Sequence, residues 1–237
     1  MNRYIVAFFG LLIVFAVIVA SCFLYNNNNI ANVFVDDIDS PTVIVDAGHG
    51  GEDGGTCSAD GVLEKDINLS VSLYLYELLK CSGYNVIMTR TDDEQIGDNT
   101  LSTIRQRKIS DVRKRLEMTK TYPDSLFVSI HQNYYSSSRY SGAQVFYSSK
   151  SPDSRLLADS IQNSIVGLLQ NGNDRKIKEI GTNVYLLYNC ENPAVMVECG
   201  FLSNSEEAKL LTTDDYQKKV AFSVACGIIK FLEEENG

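Results

Sequence analysis

The chain contains two histidines, His49 and His131, so any imidazole chemistry must pass through this pair. Each follows an apolar, β-branched run: His49 comes after Val43-Ile44-Val45-Asp46-Ala47-Gly48, and His131 directly after Phe127-Val128-Ser129-Ile130. Glu198 stands in the same relation to Ala194-Val195-Met196-Val197, while Glu64 opens an amphipathic segment after a glycine-rich stretch. Two histidines and one carboxylate form a catalytic zinc set that leaves a coordination position open for water. A second carboxylate beside them can serve as general base. Plainer readings exist for each residue. A histidine can be a hydrogen-bonded structural residue, and Glu64 can be an acid stabilised by a helix N-terminus. Glu198 follows four apolar residues and precedes Cys199-Gly200-Phe201, so it is expected near buried surface, where a neighbouring cation would relieve the cost of its charge. Glycines 48, 50, 51, 54 and 55 could build a phosphate loop, yet no Gly-Lys-Ser/Thr follows them.

Residues so far apart in sequence can meet only if the fold brings them to one edge. Short β-branched runs predict strands over 42–45, 84–89, 126–130, 144–147, 184–187 and 194–197. Longer amphipathic patterns predict helices over 64–81, 100–119, 153–169 and 214–235, the first closed by Gly83. In the third helix Leu156, Leu157, Ile161, Ile165 and Leu168 are expected on one side. This alternation implies an α/β fold: a largely parallel twisted sheet flanked by helices on both faces, in a single domain. In such open sheets ligands bind beyond the carboxyl ends of the strands. His49, His131 and Glu198 are each expected just past such an end.

Composition narrows the class. A chain of 237 residues, 44% hydrophobic, has ample length for one core. Its net charge of −9 argues against nucleic acid as a partner, because phosphate neutralisation needs a basic face. Residues 4–25 carry no charge, enough helix at 1.5 Å per residue to cross a hydrocarbon core of about 30 Å. We expect residues 1–25 to be a membrane anchor or signal segment, 26–40 a linker, and 41–237 an exported catalytic domain. Val19-Ala20-Ser21-Cys22 resembles a lipobox, so acylation at Cys22 is a second fate and signal cleavage a third. The apolar run continues through Phe23-Leu24-Tyr25, which suits an uncleaved anchor. Five cysteines remain beyond Cys22, without C-x-x-C spacing; mostly free, buried thiols are expected.

Five motifs occur in a fixed order: Val45-Asp46-Ala47-Gly48-His49-Gly50-Gly51, Glu64-Lys65-Asp66-Ile67-Asn68-Leu69, Thr89-Arg90-Thr91-Asp92, Ser129-Ile130-His131-Gln132-Asn133, and Val197-Glu198-Cys199-Gly200-Phe201-Leu202-Ser203-Asn204. Together they resemble the zinc-dependent N-acetylmuramoyl-L-alanine amidases of the type-3 catalytic family, over about residues 41–235. The resemblance implies the amidase/phosphorylase-hydrolase-like fold and one Zn²⁺ per chain held by His49, Glu64 and His131. It implies Glu198 as the catalytic acid/base. The implied substrate is the peptidoglycan amide joining the lactyl group of N-acetylmuramic acid to the L-alanine of the stem peptide. Asn133 could hold a ligand or a substrate amide, or make a structural hydrogen bond. Asp46 and Arg90 are expected to support the site or the fold, with Arg90 pairing Asp92 or Asp93.

A single domain on a membrane segment, with no wall-binding repeat and no long inserted helix, resembles the spore-cortex, germination-specific amidases. Their role implies stripping of stem peptides ahead of muramic-δ-lactam formation, at the outer face of the cytoplasmic membrane or the intermembrane space of the forming spore. A vegetative amidase of cell separation or turnover is one alternative. A peptidoglycan-binding or scaffolding module with structural zinc is another, although three ligands and a glutamate base suit catalysis better. No H-E-x-x-H helix points to a zinc peptidase. An accessory protein that orders the 48–61 loop is a further expectation.

Overall fold

Each predicted strand but one forms, and the sheet is built around β-branched runs buried on both faces. In the computed structural model, which describes residues 41–235, the strands are β1 (Thr42–Ala47), β2 (Asn85–Met88), β3 (Leu126–Asn133), β4 (Gln144–Tyr147), β5 (Lys178–Glu179) and β6 (Ala194–Phe201). Their order is β2-β1-β3-β6-β4-β5. All neighbours run parallel except β4 with β6. The helices are α1 (Glu64–Cys81), α2 (Ile104–Thr121), α3 (Asp153–Leu168), α4 (Tyr185–Asn189), α5 (Ser205–Leu211) and α6 (Asp214–Glu235).

Alternation along the strands divides the core in two. Val43, Val45, Val128, Ile130, Val195 and Val197 face one side, where Ile67, Val71, Leu75 and Leu79 of α1 pack beside α3 and α6. Ile44, Phe127, Ala194 and Met196 face the other, against Leu116 of α2 and Leu186 and Leu187 of α4. Helices therefore cover both faces of one mostly parallel sheet, as the alternation predicts, and Ser40–Gly237 forms one compact unit. Truncating a fully buried side chain such as Leu75 in this core costs about 2–5 kcal/mol.

Several boundaries shift for identifiable reasons. Residues 184–187 are not a strand: Tyr185–Asn189 is a short helix that turns Leu186 and Leu187 into the second core. On α3 the buried stripe is Leu157, Ala158, Ile161 and Ile165, while Leu156 and Leu168 face solvent. Helix α2 starts at Ile104 because Thr103 and Gln106 form a reciprocal capping box there. Strand β5 and helix α5, the latter capped by Asn204, have no counterpart in the predicted elements.

The five cysteines within the described residues are free, but only Cys190 and Cys199 are buried; Cys57 and Cys81 are exposed. The segment 4–25, with Cys22, lies outside the described residues. Among the described residues no helix is long and apolar enough to cross a membrane.

Candidate active site

His49 follows the end of β1, and its backbone takes a left-handed conformation with φ 64°, a region few residues with a side chain enter. Two flanking features hold it there. Arg115 of α2 donates to the His49 carbonyl at 2.7 Å, and Asp53 Oδ2 lies 2.9 Å from His49 Nδ1. With Nδ1 engaged, Nε2 faces Glu64 Oε1 at 3.3 Å. His131 and Glu198 lie within β3 and β6 rather than past their ends, opposite one another in register. The β3–β6 register shifts just beyond them, between His131 and Asn133.

Glu64 is the hub. Its Oε1 contacts His131 Nδ1 at 2.9 Å and accepts from the Gln132 amide at 3.0 Å. Its Oε2 accepts from the amide and hydroxyl of Thr56 at 2.8 and 3.1 Å. Burial pushes this carboxyl up, but the hydrogen bonds from His131 and His49 outweigh it and hold the acid far below the usual carboxylate range. Burial lowers His49, yet Asp53 and Glu64 together raise it to about 9.

Close approach at this hub requires glycine twice. A Cβ at Gly48 would sit 2.4 Å from the His131 ring. One at Gly55, where φ is +69°, would sit 2.6 Å from Glu64 Oε2 and 2.8 Å from the His49 ring.

His49, Glu64 and His131 each offer a ligand atom, and these atoms all lie within 4.8 Å of one another. The three could therefore hold a metal ion. The donor set of two imidazoles and one carboxylate fits a borderline-soft divalent ion such as zinc. Glu198 adds an independent observation. Its Oε2 is buried with no hydrogen-bond partner, and burial raises its carboxyl to about 7. A solitary buried carboxylate oxygen beside three metal-ligand side chains has a reason to be there if a cation or a reacting water is its partner.

The remaining predicted residues fall around this centre. Asp46 supports the fold: it pairs with Arg115 and accepts from Thr89 at 2.8 Å and from Ser129. Arg90 does not pair with Asp92 or Asp93 through their carboxylates. It is buried and donates to the carbonyls of Ala47, Gly48, Lys65 and Asp92, tying the β1 loop to α1. Asp93 is taken by Lys65 instead, at 2.5 Å. The Asn133 carbonyl accepts from the Leu202 amide at 2.9 Å.

Asp53, Arg115, Thr56 and Asn68 escape the sequence reading. Asn68 bridges the Gly48 carbonyl, Glu64 and Gln132. The spacing of Asp53, four residues after His49, is a usable signal. Nothing local distinguishes Arg115 from its neighbours Arg105, Arg107 and Arg113.

A family model described as N-acetylmuramoyl-L-alanine amidase matches residues 43–230. The chain belongs to this family. It is an N-acetylmuramoyl-L-alanine amidase by fold and by sequence. The chain is 35% identical over 211 residues to the germination-specific N-acetylmuramoyl-L-alanine amidase of Bacillus subtilis, covering 89% of this chain and 88% of that protein. Among solved structures it is similar to the CwlD amidase of Clostridioides difficile, determined in complex with the GerS lipoprotein. That amidase shares 41% identity with a TM-score of 0.79, covering 82% of this chain and all of that one (100%). An N-acetylmuramoyl-L-alanine amidase from Clostridium difficile 630 matches at 30% identity and a TM-score of 0.71, covering 83% of this chain and 99% of that one.

Proposed function

We propose that this amidase hydrolyses the lactyl–L-alanine amide of peptidoglycan with one zinc ion held by His49, Glu64 and His131, and that Glu198 is its acid/base. The observation that carries this reading is the convergence of those three ligand atoms beside the unpartnered Glu198 oxygen. When bound there, zinc supplies Lewis-acid chemistry, polarising a carbonyl oxygen and making water acidic enough to attack near neutral pH.

The chain's own groups do the rest. Asp53 accepts from His49 Nδ1 and so presents the Nε2 lone pair to the pocket. The Thr56 and Gln132 amides hold the Glu64 carboxylate in place. Glu198 takes a proton from the attacking water as the new C–O bond forms. It returns that proton to the alanine nitrogen as the C–N bond breaks, leaving a lactyl carboxylate and a peptide with a free amine. A carboxyl raised to about 7 by burial is matched to both transfers.

The setting we infer is spore germination, in line with the germination-specific amidase of B. subtilis among its relatives. The substrate is wall material, so the enzyme works outside the cytoplasmic membrane. Residues 4–25 would anchor it, 26–40 would link, and 41–237 would be the catalytic domain. By analogy with the C. difficile amidase solved with a lipoprotein, an accessory lipoprotein is proposed as partner. Expression in a B. subtilis strain lacking its own germination-specific amidase tests the setting. Cortex muramic-δ-lactam is expected to return; cortex without it would favour a vegetative role.

A further inference from the structure

Beside the metal-ligand cluster, on the α2–α4 face, lies a groove of about 710 Å³. Ile104, Ile109 and Tyr185, all exposed, form its apolar floor together with Val112. A volume of this size is large enough for a short peptide. Asp53, the residue that engages His49 Nδ1 at 2.9 Å, is part of its lining. His131 and Glu198 alternate in phase with Phe127 and Met196, which pack on this same α2–α4 side of the sheet. Asp53 is therefore common to the groove and the site, and the groove lies on the side of the sheet that carries the acid/base.

Charge identifies what it takes. Around the groove stand Arg105, Lys108 and Arg113, on a chain whose net charge is −9. Lys108 is spent on Asp53 at 2.7 Å, and the nearby Arg107 on Glu52 at 2.5 Å. Arg105 and Arg113 are exposed and make no ion pair among the described residues. Two unpaired guanidinium groups over an apolar floor match a short peptide that carries free carboxylates.

We propose that this groove is the subsite for the acidic stem peptide, the leaving-group side of the substrate, with Arg105 and Arg113 meeting its carboxylates. The proposal rests on the amidase reading above and adds which part of the substrate is recognised and where.

Binding, rather than turnover, tests it. The full-length protein carrying Glu198→Ala is titrated with two probes, a muramyl tetrapeptide and N-acetylmuramoyl-L-alanine. The tetrapeptide is expected to bind more tightly, and Arg105→Glu/Arg113→Glu to reduce that advantage about tenfold, the effect of two surface ion pairs. Lys209→Glu/Lys230→Glu, on α5 and α6, makes the same change in net charge and is expected to leave the advantage intact. Arg105→Lys/Arg113→Lys should restore most of it. Equal affinity for the two probes overturns the proposal. So does an advantage that survives the groove reversal, or an acidic protein that occupies the groove while the tetrapeptide does not. Tetrapeptide binding of this kind by the Glu198→Ala protein, with no peptide released from sacculi by the zinc-loaded wild type, would overturn the catalytic reading and leave the subsite standing.

Discussion

Glu198 stands opposite His131 where β6 runs beside β3, and its buried Oε2 has no hydrogen-bond partner. One residue is offered as a ligand and the other as the acid/base, and neighbouring strand positions keep the two roles in fixed relation. Replacing Glu198 by Gln keeps the shape and removes the proton transfer. Turnover should fall by about 10²–10⁴-fold while zinc content stays at one per chain. Comparable turnover in the variant, measured by released amine, would remove Glu198 from the mechanism.

His131→Ala should behave in the opposite order, losing metal first and activity as a consequence. Zinc retained per chain by elemental analysis is the number to read. Undiminished stoichiometry would take His131 out of the ligand set.

Asp53→Asn tests whether the partner of His49 Nδ1 sets metal affinity. The Asp53 acid is itself held well below the usual range: burial pushes it up, but its bonds to His49 and Lys108 win. Losing that charge should weaken zinc binding by about 10–100-fold in chelator competition, with an unchanged far-ultraviolet spectrum. Wild-type affinity would mean that His49 needs no carboxylate to orient it.

Part of the acid sensitivity should trace to Asp46, alongside Glu64 and Asp53. Burial pushes its carboxyl up, but Arg115, Ser129 and Thr89 together hold it below its ordinary value. A depressed folded pKa stabilises the protein above the unfolded value of about 3.9, and that contribution disappears as pH falls through the folded value. Asp46→Asn, which leaves Arg115 buried without this partner, should cost about 3 kcal/mol at pH 7 and flatten the acid limb of stability. A urea midpoint at pH 7 equal to the wild type's would show that Asp111 and the carbonyls around Arg115 suffice.

Much of this arrangement is legible in the chain. Val43-Ile44-Val45 and Val195-Met196-Val197 are continuous apolar runs because parallel strands are covered on both faces, and such runs point to the edge where ligands gather. The same logic misreads residues 184–187, since a short apolar run fits a strand or one turn of buried helix equally well. Tertiary contact decides, as Leu186 and Leu187 reach the second core only from a helix. Arg90 is misread for a different reason. Its nearest acids in sequence are Asp92 and Asp93, but burial at the β1 loop makes four backbone carbonyls its partners. Arg115 meets Asp46 across 69 residues of sequence, a distance over which no local pattern can speak.

The most direct test of the whole account is the chemistry of the products. Intact peptidoglycan sacculi incubated with the full-length protein and zinc should release stem peptides with a free N-terminal L-alanine, seen by mass spectrometry, while the glycan strands stay uncut. Cleavage within the glycan or within the peptide, or no release by protein carrying one zinc per chain, would contradict it.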